Sequence, residues 1–259
     1  MGNYAILPQI VVSDALTFDF VDDVGAATAT LAAGTYDDII AFCVALETAL
    51  DAGSDLSGDD NFTVSVGSTG TISISHDGTV LSLLWDTDTN GDMATFASIL
   101  GFSTAADDTA ALSTPQDGLD SGTPYTSDYQ HDYGWYAPRA PAYDSWDYPV
   151  VDGPDPYMSW SGKVSRTSNP ATIERRVLRW ELIADTKYHP DYADTNEDFI
   201  STYKKIAAGS AFNLYSDISV PTLDGTYWLI EPSGALVTDR HSSEIAYFNF
   251  DLTFQKDNT

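Results

Sequence analysis

The closing run Tyr247-Phe248-Asn249-Phe250-Asp251-Leu252-Thr253-Phe254 alternates apolar and polar residues almost perfectly. Successive side chains of a strand point to opposite faces, so such a run needs one face buried and the other wetted. Ile173 to Ile183 largely alternates in the same way and reads as a long edge or half-buried strand. Between the two, Asp194-Thr195-Asn196-Glu197-Asp198 offers a cap-like acidic start. Phe199, Tyr203, Ile206 and Ala207 follow at helical spacing, and Gly209 stands where a left-handed stop is wanted. Ala211 to Tyr215 and Tyr227 to Ile230 are β-rich, with Asp224-Gly225 and Ser233-Gly234 predicted as turns. The order strand, helix, strand, strand, strand predicts a sheet with one helix packed on it.

These residues resemble a known build. Arg-x-x-x-Trp from Arg176 to Trp180, a helix ending in Ala-Ala-Gly, an aromatic strand carrying Phe212 and Tyr215 before Asp217, and the strand Tyr247 to Phe254 look like the sandwich-plus-helix domain of tailed-bacteriophage tail proteins. Tail tube, distal tail and adaptor proteins share that build. The resemblance covers about the last third of the chain and rests on pattern.

Earlier in the chain, Ile6 to Val12, Leu16 to Val21 and Thr28 to Tyr36 read as strands. Asp37 and Asp38 lead into a helix that places Ile39, Phe42, Cys43, Leu46 and Leu50 on one face. Phe62 to Val66 and Thr71 to Ser75 alternate around Gly67-Ser68-Thr69-Gly70 as a hairpin, Val80 to Trp85 is a third strand, and Met93 to Leu100 a short helix stopped by Gly101. This β-α-β-β-β-α order, with Gly34-Thr35-Tyr36, Phe62-Thr63-Val64, Thr69 to Ile74 and Leu100-Gly101-Phe102 in sequence, resembles a module of virion structural proteins. The fold class is therefore expected to be β-rich α+β: an N-terminal β-α-β-β-β-α module over residues 1–110, and a C-terminal β-sandwich-like domain with one packed helix over residues 161–259.

Residues 111–160 separate the two as a Pro- and aromatic-rich arm or linker. Proline this frequent disfavours long regular structure, yet so many rings do not remain in water as a free linker. An extended arm lying on a neighbouring subunit is expected, with Tyr133, Trp135, Tyr136, Trp146 and Tyr148 as interface candidates.

Charge narrows the function. Of 39 acidic and 11 basic residues, 21 acids and no Lys or Arg lie in residues 1–138, so the two parts carry about −21 and −7 of the net −28. Phosphate binding needs cations, so direct nucleic-acid binding is not expected there, nor is attraction to an anionic membrane. The acidity reads either as solubility in a salty habitat or as a wall past which DNA slides without sticking. Arg175, Arg176 and Arg179 are the densest cations. Arg176 shares a strand face with Leu178 and Trp180, and Arg175 and Arg179 lie opposite with Val177. They pair either with Glu174 and Glu181 or with acidic loops of the next subunit.

Asp86, Asp88, Asn90, Gly91 and Asp92 match the start of a calcium loop, D-x-[DN]-x-[DN]-G, but Ala97 stands where the bidentate acid belongs. The alternative is a solvated acidic turn, and no other cofactor is indicated. His76, His131, His189 and His241 lack zinc spacing and are expected at surface or turn positions. Asp22-Asp23, Asp59-Asp60 and Asp107-Asp108 could do glycosidase work only at a suitable separation, and no hydrolase, Walker or dinucleotide motif is present. Cys43 has no cysteine to pair with and is expected in the core. The start Met1-Gly2-Asn3-Tyr4 shows no secretory signal and no apolar run has membrane-span length, so synthesis in a host cytoplasm is expected.

The resemblances imply a non-enzymatic structural protein of a virion, self-assembling in the tail or neck as a tail tube or ring component beside other tail or neck proteins. A carbohydrate- or receptor-binding virion module, stacking the 125–160 aromatics on sugar rings, is the alternative.

Overall fold

The computed structural model describes residues 4–54, 62–67, 70–78, 80–89, 91–109, 124–129, 131, 133–137, 140–147, 150–151, 157–158, 164–165, 171–172, 174–184, 199–218, 223–231, 237–239 and 247–256. In chain order its first elements are β1 (Ala5–Pro8), β2 (Ile10–Val12), β3 (Leu16–Val21), β4 (Ala26–Leu31), β5 (Gly34–Tyr36), α1 (Ile39–Gly53), β6 (Phe62–Val66), β7 (Ile72–His76), β8 (Ser82–Leu83) and α2 (Met93–Leu100). Next come β9 (Tyr125–Thr126), β10 (Trp135–Tyr136), β11 (Tyr143–Asp147), β12 (Val150–Val151), β13 (Tyr157–Met158), β14 (Val164–Ser165) and β15 (Ala171–Thr172). The last are β16 (Arg175–Ala184), α3 (Phe199–Ala207), β17 (Phe212–Tyr215), β18 (Leu223–Glu231), β19 (Val237–Asp239) and β20 (Tyr247–Lys256). The chain is α+β with strands dominating, as the alternation requires.

An eight-stranded antiparallel sheet runs β10-β1-β17-β18-β20-β16-β11, with β19 also paired to β20. Its two edge strands, β10 and β11, are joined by residues 137–142 alone. A flat sheet of this order would hold its edges about 29 Å apart, beyond the roughly 24 Å that such a link spans when extended. The sheet therefore curls. Trp135 of β10 meets Trp180 of β16 edge-to-face at 5.1 Å, across the mouth of the curl. Inside it, the alternation of β16 buries Arg176, Leu178 and Trp180, which pack with Phe212, Tyr227, Leu252 and Phe254. Helix α3 packs on β1 and β18 through Ile206, and Gly209 ends it at φ 98°.

The second core lies between two three-stranded sheets, β4-β3-β8 and β6-β7-β9. Helix α1 contacts both β4 and β6, each the edge strand of its sheet. It buries Ile39, Phe42, Cys43, Leu46 and Leu50, the face expected from spacing. Phe18, Phe20, Phe62 and Phe96 interlock with tilted rings, the arrangement their quadrupoles favour. No helix among the described residues is long and apolar enough to cross a membrane.

Several sequence expectations change. The run Ile6 to Val12 breaks at Gln9 into β1, which joins the large sheet, and β2, which pairs with β5. The strand read over Thr28 to Tyr36 likewise divides into β4 and β5. Asp224-Gly225 is not a turn but a bulge inside β18: Leu214 pairs with Gly225 and Tyr215 with Leu223, so Asp224 is the extra residue, and Gly225 takes φ 154°. Ser233-Gly234 lies outside the described residues. The aromatic segment was expected to lie on a neighbour, but three of its described strands lie on their own chain. There β9 pairs with β7, β10 with β1, and β11 with β16.

Gly53 sets how closely α1 approaches β4. A Cβ there would stand 2.9 Å from both Ala29 Cα and Thr28 O, backbone atoms that cannot step aside. Ala ordinarily gains up to about 1 kcal/mol over Gly in a helix, but the overlap costs about 1–3 kcal/mol. Gly53→Ala is expected to lower stability in urea melts despite the better helix former.

Candidate functional site

Two clusters among the buried polar groups tie distant segments together. The first joins the two cores. Asp38, 2% exposed, ends the turn before α1 and caps it by accepting the Ala41 N–H at 2.9 Å. Its other oxygen accepts from Asn213 Nδ2 at 2.9 Å and from the Tyr215 hydroxyl at 2.7 Å, both on β17. Thr226 on β18 donates in turn to Asn213 Oδ1 at 2.7 Å. A buried carboxylate is tolerated when its lone pairs are filled this way. Burial, then the bond to Asp38, pushes the Tyr215 hydroxyl well above its ordinary range.

Beside this lies His131, fully buried. Its Nδ1 accepts the Tyr133 N–H at 3.1 Å, so Nε2 carries the proton and donates to the Tyr136 hydroxyl at 2.9 Å. Burial, reinforced by the Lys205 charge, pushes this imidazole down to about 3. Burial likewise raises the Tyr136 hydroxyl and, helped by Asp38 and Glu47, the Cys43 thiol. His131, Tyr136 and Cys43 are thus held in their neutral forms at pH 7, and the cluster ties chain segments together.

The second place is the mouth of the curled sheet. Arg176, 4% exposed, donates Nε and Nη2 to the two oxygens of Asp144 at 2.9 and 2.6 Å, and Nη1 to Asp224 at 3.1 Å. Tyr4 donates to the same Asp144 at 3.1 Å. Burial pushes the Asp144 carboxyl up, but the Arg176 guanidinium outweighs it and holds the group below the usual carboxylate range. One guanidinium thus fastens β16 to β11 and to the bulge of β18 (Asp224), with Tyr4 joined to the same carboxylate.

The predicted site residues fall on these features unequally. Trp135 and Arg176 are inside the chain, where a neighbouring subunit does not reach them. A ring 5% exposed also offers no face to a sugar. Tyr136 closes the His131 cluster. Tyr133 borders an open groove of about 610 Å3 between the β2–β3 connection and α2, with Val11, Leu16, Thr95, Ser98 and Ile99 among its walls. The Lys205 ammonium stands 4.0 Å from the Tyr133 ring centre. Arg179 pairs at the surface with Asp251, at 2.6 and 2.9 Å. Arg175 keeps a buried Nε without an acceptor, and Glu174 pairs with Lys256 rather than with an arginine. The side chain of Trp146, and Tyr148 altogether, lie outside the described residues.

The calcium-like loop is held by hydrogen bonds within the protein. Asp92 accepts from the backbone and hydroxyl of Thr17 at 2.8 and 2.7 Å, Asp88 accepts the Met93 N–H at 3.2 Å, and the Asp86 N–H donates to Asp107 at 2.7 Å. Asn90 lies outside the described residues, and among those described no three His, Cys, Asp or Glu are disposed to hold a metal. The acid pairs are likewise engaged in holding loops. Asp22 accepts from Val24, Gly25 and Ser54, and Asp108 accepts from the Trp85 indole, its carboxyl raised chiefly by burial. Asp59-Asp60 falls outside the described residues.

Histidine is where the surface expectation fails. His131 and His76 are both buried, His76 against the Phe62 ring at 4.6 Å, while His189 and His241 lie outside the described residues. Sequence reasoning also missed the Asp38–Asn213–Tyr215 link. Asp38 was legible as a helix start, but nothing local marks a partner 175 residues away.

Comparison with family models, curated proteins and solved structures finds no match.

Asp38→Asn is expected to destabilise by about 2–3 kcal/mol, because the amide cannot accept from all three donors and turns its own donor toward one of them. Chemical denaturation checks it, with Asp37→Asn as the control. His131 gives a pH signature. Its folded value lies below its unfolded one, so its contribution is complete above about pH 6.5 and is lost as pH falls toward 3. Between those limits the wild type should lose up to about 1.4 kcal/mol per pH unit more than His131→Gln, measured by urea melts at stepped pH.

Proposed function

We propose that the chain is a non-enzymatic structural protein of a tailed virus, assembling with itself as a tail tube or ring component in the tail or neck. The observation that carries this reading is the unit formed by β16, α3, β17, β18 and β20. A strand, one amphipathic helix and three further strands make a curled antiparallel sheet with the helix packed upon it. The resemblance of residues 172–254 to tail proteins implies a sandwich with one packed helix, and this unit shares its order of elements and its packed helix.

Two further features support it. The described polar clusters fasten segments of the chain to one another, which suits a load-bearing part. The cation-free residues 1–138 give any channel that they line a wall of one sign, along which DNA slides without forming ion pairs. Closed rings of identical copies would place that wall repeatedly around one axis.

Light scattering of the native protein over a concentration series, followed by negative-stain imaging, tests the reading. Rings or short stacks are expected, with no retention of double-stranded DNA at moderate salt. A monomer at every concentration, both alone and with purified tails of the parent virus as template, would remove it.

A further inference from the structure

Helix α1 does more than fill the core between two sheets. Among the described residues strand β6 pairs only with β7, so its other side is a sheet edge. Edge strands carry unpaired N–H groups that recruit strands from other molecules unless something covers them. On β6 the outward donors are Phe62, Val64 and, at its far end, Val66, and the N–H groups of the first two meet not backbone but carboxylates of α1. Phe62 N–H donates to Asp51 Oδ1 at 2.7 Å, and Val64 N–H to Glu47 Oε2 at 2.9 Å.

The spacing explains the match. Residues two apart on a strand are about 6.7 Å apart, and residues four apart on a helix lie on one face about 6 Å apart. A Glu-x-x-x-Asp pair on a helix alongside a strand can therefore answer successive outward N–H groups. Carboxylates only accept, so two such caps satisfy these two donors without offering donors of their own to an incoming strand.

We infer that Glu47 and Asp51 guard the β6 edge and prevent it from pairing with the β6 edge of a second copy. Thr63 and Ser65, both exposed and alternating with the inward-facing Phe62 and Val64, are uncharged and β-tolerant, so the strand itself carries no charge or proline to deter pairing. The protection comes from the helix. This holds whether or not the chain builds a ring, and it takes the β6 edge out of any assembly surface as long as the two carboxylates stay on Phe62 and Val64.

The test compares the full-length Glu47→Ala/Asp51→Ala chain with Glu47→Gln/Asp51→Asn. The amides keep an acceptor oxygen at each place, and the alanines do not. The alanine pair is expected to show a weight-average mass rising with concentration to about twofold or more over wild type. Its Phe62 and Val64 amides, measured in the dilute unassociated protein, should exchange about tenfold faster or more, while the amide pair behaves like wild type. A folded alanine variant, by circular dichroism, that keeps the wild-type mass at all concentrations would overturn the inference. Should that variant not fold, the single changes Glu47→Ala and Asp51→Ala decide it. Unchanged exchange at Val64 in the first and at Phe62 in the second would equally overturn it.

Discussion

A carboxylate nearly out of reach of water, Asp38, is the contact on which the two cores depend. It starts α1 and is at the same time the acceptor for two side chains of β17. Helix and large sheet are therefore fixed to one another by a charge-assisted network rather than by apolar contact alone. Apolar packing alone is non-directional and tolerates small shifts, whereas three donors around one carboxylate define a position. Because α1 also lies against the edges of β4 and β6, the same carboxylate indirectly sets how the smaller sheets meet the larger one.

The mouth of the curled sheet uses a second charge in a different way. Arg176 sits on the face of β16 that otherwise carries Leu178 and Trp180, where an unpaired charge would be severely unfavourable. Asp144 and Asp224 remove that cost, and each comes from a different strand. The bulge at Gly225 belongs to this arrangement: the extra residue it inserts is Asp224 itself. A backbone irregularity thus supplies a partner that a regular ladder would have turned elsewhere.

What could be read from the sequence divides by range. The buried face of α1, the hairpin of β6 and β7, the glycine stop of α3 and the face assignment on β16 are all set by residues within a few positions of one another, and period alone revealed them. Long-range pairing was not readable. Nothing in Ala5-Ile6-Leu7-Pro8 states that its neighbours are Trp135 and Leu214. The aromatic segment was recognised as needing a surface to lie on. Local pattern cannot tell its own chain from a neighbour's, and for β9, β10 and β11 its own chain supplies that surface. The acidic loops show the same limit, since Asp22, Asp88, Asp92 and Asp107 look free in sequence and are engaged in space with N–H and hydroxyl groups of other segments.

The place of β1 has a consequence for how the chain is made. It sits between β10 and β17, and Pro8 pairs with Phe212, residues separated by most of the protein. At ordinary ribosomal speeds the first strand emerges at least about 10 s before its partner exists. Ala5, Ile6 and Leu7, wholly buried at the end, spend that interval without the contacts that will cover them. Closing so large a loop is entropically slow, so the large sheet is the last part of the molecule to form. A nascent or truncated chain would carry an adhesive β1, and its producer would have to keep it from neighbours until release.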